Sequence, residues 1–435
     1  MTATPPTPWS RLLQRLDLTE PINLGTTDKG ASINRAFDAQ MQRAIWDKRY
    51  ELKADDHRMA YRVFSKWENT LIAQLKDKGV VRGPEFITLE QQGSPLHTGA
   101  TAMQDRKTGR SLLRTYDLGP DLDVWNRLRP CIQGAAKPHV LYRASDLLRL
   151  ARATLLALKD FHDHGFVHCD LHAGNVALPC KITNQAPDKS PQGPSLTVQP
   201  LWDELRIFDL DASLSQHSTP PVVPFLSTDP ARIPRMSNHL RLRLCMLHAL
   251  AESKGEDAYD EPFWARHLGN GGRDLQCMQR VDWREDLHQL GHLFKGLLEN
   301  DIEYDHLNQE FLLDELATEW TDWGAPEQLD GLKASDLQKQ PKESQSAYYE
   351  RLRQWVERIE KLPTPAKPHD GYLARLDAIL VKHADVGSGV WVFRRDDNDQ
   401  LYAATKHTAD APNRESGDHT VASSADTLSP KVSNS

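Results

Sequence analysis

The sequence predicts an α+β fold, with a small strand-rich region first and a mostly helical remainder. Three observations point there. Residues 21–117 mix short strand-like runs with one strong helix. Residues 145–175 carry a long helix that leads into a tight His/Asp/Gly/Asn segment. Several further helical patterns follow, to about residue 362.

The opening segment, residues 1–20, is Pro-rich and then amphipathic, and reads as a leader packed on the body. It lacks the basic-then-apolar pattern of a secretory signal. No apolar run approaches the roughly 18 residues of a membrane span. Five cysteines without paired spacing do not form a disulfide framework. These features predict a cytoplasmic protein, and an effector exported without a classical signal would share them. The net charge of −8, with no long basic block, argues against a nucleic-acid partner and reads as a solvated acidic surface.

Within 21–117, Gly25 and Gly30 sit in Asn23-Leu-Gly-Thr-Thr-Asp-Lys-Gly-Ala-Ser, either a degenerate phosphate-covering hairpin or an ordinary turn. Tyr50, Leu52 and Ala54 alternate against Glu51 and Lys53, a strand pattern over Arg49–Ala54. A helix follows, capped by Asp55 or Asp56. Its residues Tyr61, Phe64, Glu68, Ile72 and Leu75 share one face. Glu68 therefore lies inside an apolar stripe, where a carboxylate either finds a partner or snorkels to the helix edge.

The next helix, Asp146 to His162, gathers Leu147, Leu150, Ala151, Leu155, Leu158 and Phe161 on one face, and Gly165 stands where a C-terminal cap belongs. The densest chemistry comes directly after it, in His168-Cys-Asp170-Leu-His172-Ala-Gly-Asn175. Phosphoryl transfer requires a carboxylate for the hydroxyl proton and oxygen ligands for Mg²⁺. Asp170 and Asn175 supply one of each, and Asp209, in Leu205-Arg-Ile-Phe-Asp-Leu-Asp211, supplies a second carboxylate at a strand end. A blander reading and a second sharp one stand beside it: polar residues that cap a turn, and a zinc hydrolase drawn from the local histidines. The zinc reading lacks the distant His or carboxylate such sites use.

Between the two motifs, five prolines over residues 179–200 read as a loop inserted between strands. Another Pro-rich stretch covers 214–235, with helical patterning near 237–252. Arg232, Arg235, Arg241 and Arg243 read as a solvated helix face, or as a surface for an anionic substrate. Asp286 opens a further helix with the stripe Trp283, Leu287, Leu290, Phe294 and Leu297. Over 343–362, Tyr348, Leu352, Trp355, Ile359 and Leu362 form a short heptad seam, expected to pack on the body rather than in a coiled coil. Residues 363–395 form a C-terminal extension, and from about 396 the composition reads as a disordered tail to 435.

These motifs together resemble the protein-kinase superfamily. His168, Asp170, Leu171 and Asn175 match the catalytic loop H-R-D-L-x-x-x-N in register. Phe208-Asp-Leu-Asp211 stands where D-F-G belongs, and Asp286-Leu-His-Gln-Leu290-Gly291 is similar to the D-x-W-x-L-G helix opening. The resemblance covers residues 20–300 and implies a two-lobed fold with ATP between the lobes. The small antiparallel-sheet lobe would be 21–117, and the mostly helical lobe 118–362, with inserts at 179–200 and within 212–282. It further implies Asp170 as catalytic base with His172 beside it, and Asn175 and Asp209 on Mg²⁺ or Mn²⁺. Lys53, held by Glu68, would anchor the phosphates under Gly25 and Gly30. Backbone groups near Tyr116 and Leu118 would bind adenine. His168 and Asp286 would support the loop, although a simple helix N-terminal charge also accounts for Asp286.

Two departures bear on the substrate. Cys169 replaces the loop Arg that pairs with an activation-loop phosphate, so activation by loop phosphorylation is not expected. His172 replaces the usual Lys, and H-x-D-L-H-x-G-N is similar to small-molecule kinases and to atypical bacterial Ser/Thr kinases. The expected activity is ATP-dependent phosphorylation of a Ser/Thr hydroxyl on a protein. The alternatives are a sugar- or aminoglycoside-type small-molecule kinase and a pseudokinase that binds partners without catalysis.

Overall fold

The computed structural model describes residues 31–38, 43–50, 58–84, 102–104, 111–116, 118–123, 125, 144–184, 195–223, 235–269, 274–299, 312–325, 329–382, 391–395 and 401–404. All of them belong to one compact unit, Met1–Ala404. Helices and antiparallel strands make it an α+β fold. No helix among the described residues is long and apolar enough to cross a membrane.

The first sheet has the order β1-β2-β4-β3: Ala31–Asp38, Arg43–Tyr50, Ser111–Tyr116 and Ala102–Gln104. Of the strand expected at Arg49–Ala54, Arg49 and Tyr50 end β2 and residues 51–54 lie outside the described residues; β2 pairs with β4, Ile45 opposite Tyr116 and Lys48 opposite Leu113. Gly25, Gly30 and Lys53 lie outside the described residues, as does the side chain of Tyr116. Helix α1, Arg58–Lys78, buries Trp67, Glu68, Leu71, Ile72 and Leu75, whose three- and four-residue spacing marks its inner face.

Helix α2, Ala144–Asp163, is the centre of the first core. Leu147, Leu150, Leu155, Leu158 and Phe161 are fully buried there, each worth roughly 1.5–3 kcal/mol of transfer free energy. They share the core with Leu287, Leu290 and Phe294 of α5, Arg284–Glu299. A second core joins α3, Asn238–Lys254, to α7, Gln345–Ile359, through residues that include Leu240, Leu247, Leu352 and Val356. Helix α4, Glu261–Gly269, contributes Phe263 and Trp264 to it. Helix α6, Leu313–Asp322, packs on α5, and α8, His369–Lys382, packs on α2.

Several expectations are corrected. The segment 179–200 is more than a loop. Cys180–Asn184 (β7) pairs with Ser195–Pro200 (β8), and the sheet continues through Trp391–Arg395 (β11) to Leu401–Ala404 (β12). The start of the expected tail therefore carries a strand, because Leu401–Ala404 pairs with β11, Arg395 opposite Leu401 and Val392 opposite Ala404. In α7 the buried set is Tyr348, Leu352, Val356 and Ile359, while Leu362 is exposed, so its stripe follows a helical rather than a heptad period. It packs on α3, not in a coiled coil. Arg243 is no solvated residue: α3 is buried nearly all round, and Arg243 donates to the carbonyls of Cys277 and His239.

Candidate functional site

The segment from α2 to Asn175 alternates between the two cores. Phe166 (β5, Phe166–Val167) and Leu171 pack in the first, and Val167 and Cys169 in the second. The chain is held on both sides, and Asp170, half-buried, faces a cleft between them.

Backbone amides in this turn have no secondary-structure partner of their own, and buried amides require one. Asp286 meets two of them. Its Oδ2 accepts from the His168 amide and its Oδ1 from the Cys169 amide, each at 2.7 Å. Gln289, one helical turn along α5, accepts from the Leu171 amide at 2.6 Å and donates to the Cys169 carbonyl at 2.8 Å. Cys169 has φ +64°, a left-handed conformation that a non-glycine residue adopts at a cost of order 1–3 kcal/mol. The hydrogen bonds on either side of it hold that conformation.

His168 is fully buried, and its ring ties the loop to the second motif: Nε2 bonds the Phe208 carbonyl at 2.8 Å. Asn175 donates its amide to the Asp170 carbonyl at 2.8 Å and, through its own carbonyl, accepts from the Phe208 amide at 3.0 Å. Strands β6 (Val176–Ala177) and β9 (Arg206–Ile207) pair in register Val176 to Ile207. Asn175 and Asp209 consequently stand at the same end of one short ladder. Asp209 also has φ +64°. Ser213 donates to the His168 carbonyl, and Trp67 of α1 donates to the Ser213 carbonyl at 2.9 Å. Glu68, the next residue on α1, is buried.

His172 caps the 3₁₀ turn Ala173–Asn175, its Nδ1 accepting from the Gly174 amide at 3.1 Å. The proton is thus on Nε2, which lies 4.0 Å from Asp170 Oδ2. Burial lowers the His172 pKa below its ordinary value, outweighing the pull of Asp170, and keeps the ring neutral near pH 7. The Cys169 thiol is pushed well above its usual range by burial and by the Asp286, Glu285 and Asp170 charges, so it is no nucleophile.

The cleft holds about 130 Å³ and is lined by Cys169, Asp170, Leu171, His172, Arg235, Met236 and Gln289. That is room for one side chain or a small hydroxyl-bearing fragment beside the carboxylate. Leu118 is half-buried. The structure therefore brings together Asp170, His172, Asn175, Asp209, His168 and Asp286.

Sequence reasoning missed Gln289 and Glu285. Glu285 is fully buried and accepts from the Ser237 hydroxyl, the Ser237 amide and Gln289 Nε2. Burial, aided by the Asp286 charge, pushes it up to about 8 despite those donors. Glu285 and Gln289 lie one turn apart on the helix that Asp286 opens, on a face shared with His292 and Gly296, so the sequence pattern alone does not mark them as buried.

Asn175 and Asp209 are the residues that could hold a cation. The Asn175 nitrogen is committed to Asp170, which leaves the amide oxygen for a cation, with the Asp209 carboxylate at the same ladder end. Among the described residues no group of three His, Cys, Asp or Glu side chains suits a metal. A cation held by one amide, one carboxylate, waters and phosphates does not require such a group.

No protein-family model matches the chain. No curated protein matches it. Among solved structures it is similar to that of vaccinia related kinase 3, at 13% identity over 84% of this chain and 87% of that one, with a TM-score of 0.35.

Proposed function

We propose that the protein is an ATP- and Mg²⁺-dependent phosphotransferase of two-lobed, protein-kinase-like fold, with Asp170 as its catalytic base. One observation carries this reading. Asp170 is presented to a cleft on a loop whose backbone is fixed by Asp286 and Gln289, and Asn175 and Asp209 stand beside it on one ladder. Bound Mg²⁺-ATP would supply the transferable phosphoryl group and the charge compensation for it. Asp170 would orient the acceptor hydroxyl and take its proton. Neutral His172, whose Nε2 lies 4.0 Å from Asp170 Oδ2, would stand beside that carboxylate without competing for the proton. Asn175 and Asp209 would hold the cation, and Lys53 with Glu68 the phosphates.

The reading favours a Ser/Thr hydroxyl on a protein, because Asp286-Leu-His-Gln-Leu290-Gly291 is similar to the D-x-W-x-L-G helix opening of protein kinases. A small-molecule acceptor is the second reading, favoured by His172 where protein kinases carry Lys. Calorimetric titration with ATP tests the binding half. The expected result is affinity that requires Mg²⁺ or Mn²⁺ and falls at least tenfold in Asp209→Ala. Equal ATP affinity with and without divalent cation would count against it.

A further inference from the structure

The loop carrying Asp170 hangs on the Asp286 carboxylate, and that carboxylate has a third contact. His162, in the last turn of α2, places Nε2 2.8 Å from Asp286 Oδ2. The other ring nitrogen of His162, Nδ1, lies 2.8 Å from Nε2 of His369, at the start of α8. All three side chains are buried.

The direction of this line follows from Asp286. Its oxygens accept from two backbone amides, so the His162 contact is made by Nε2–H donating. The unpartnered Nδ1 of His369 carries its lone pair rather than a proton, so His369 meets Nδ1 of His162 with Nε2–H. Burial and the His162 ring push His369 down to about 3, so it stays a neutral donor. The groups around it are His162, Asp163, Lys367, Lys159 and the edge of the Trp283 ring. The same segment is pinned independently, since Lys367 Nζ donates to the His162 carbonyl at 2.7 Å and contacts Asp163 Oδ1 at 3.1 Å.

We propose that His369 is a positioning residue: it selects the His162 tautomer that clamps Asp286 onto the amides of His168 and Cys169, and so couples α8 to the loop bearing Asp170. With His162 in the other tautomer, a lone pair would face a carboxylate oxygen and the clamp would open. A hydrogen-bonded second partner fixes the tautomer and ring orientation of metal-ligating histidines in the same way. The kinetic consequence rests on the phosphotransferase reading; the backbone consequence does not.

The test compares the full chain with His369→Leu and His369→Gln. Glutamine keeps an N–H donor toward His162, and leucine fills the space without one. Hydrogen exchange of the His168 and Cys169 amides is expected to quicken at least tenfold in the leucine variant and to return within threefold of wild type in the glutamine variant. Phosphoryl transfer should follow the same order in kcat, with the KM for ATP unchanged. Exchange unaltered by leucine, or glutamine no better than leucine, would overturn the proposal. Should the leucine variant fail to fold, ¹⁵N-histidine NMR of the wild-type chain decides, with assignments from the single His→Gln variants. Nε2–H on both rings supports the line, and Nδ1–H on His162 refutes it. Wild-type protein without phosphoryl transfer would sink the enzymatic reading and leave the exchange and tautomer results to judge this one.

Discussion

Asp286 receives the backbone amides of His168 and Cys169 on its two separate oxygens, each at 2.7 Å. A fully buried carboxylate is thereby satisfied by the chain it supports. Asp286→Asn replaces one acceptor oxygen with a donor that faces an amide. The expected loss is roughly 3 kcal/mol of stability, in keeping with buried hydrogen bonds to charge. Urea unfolding measures it, and phosphoryl transfer should fall while ATP affinity holds. An unchanged unfolding midpoint would mean the loop is held by other contacts.

Glu285 makes the stability of the protein depend on pH. Its folded pKa is raised to about 8 from an ordinary 4.5. Between those values the native state keeps a proton that the unfolded chain has released. Stability from this group is therefore full below about pH 4.5 and declines as pH rises to about 8, by up to about 1.4 kcal/mol per unit. Glu285→Gln keeps the shape and removes the titration. The variant should gain stability relative to wild type as pH rises through this window. Parallel stability curves would show that Glu285 is already ionised in the fold.

Gly291 is required by close helix packing rather than by flexibility. A Cβ there would stand 2.4 Å from Thr321 Oγ1 and 2.5 Å from the Ala317 carbonyl of α6. Gly291→Ala should destabilise by about 1–3 kcal/mol as α5 and α6 move apart. Thermal unfolding checks this, and an unshifted midpoint would contradict it.

Cys169 is buried in an apolar cluster and its thiol stays protonated, so the loop offers no cation at this position for a phosphate on the following segment. Acidic substitutions at Thr219, Ser227 or Thr228 should leave turnover within twofold of wild type. A tenfold activation by any of them would show that the segment is switched by charge.

Much of this arrangement was legible in the sequence because it is local. The α2 stripe from Leu147 to Phe161, the placement of Asp170 and Asn175 on one turn, and Asp286 at the head of an apolar helix all follow from short-range spacing. The contacts that fix them are long-range. Nothing in the residues around His162 points to His369, more than 200 positions away, and nothing in the prolines of 179–200 shows that β8 will pair with β11. The helix α3 was misread because its arginines suggested a wet face, whereas Arg243 satisfies its guanidinium on buried carbonyls. Gln289 was overlooked because a single glutamine in a leucine-rich helix becomes informative only once the loop amides it meets are known.

The central claim is tested most directly by transfer of label from [γ-³²P]ATP. Wild-type protein and Asp170→Asn would be incubated with Mg²⁺, with and without a generic protein acceptor, and also with pools of sugars and aminoglycosides. The account predicts label on a protein hydroxyl for the wild type and at least a hundredfold loss in the variant, with folding and ATP affinity retained. Label on a small molecule alone would move the acceptor to the second reading with Asp170 in the same role. No transfer by the wild type under any of these conditions, or equal transfer by Asp170→Asn, would contradict the account.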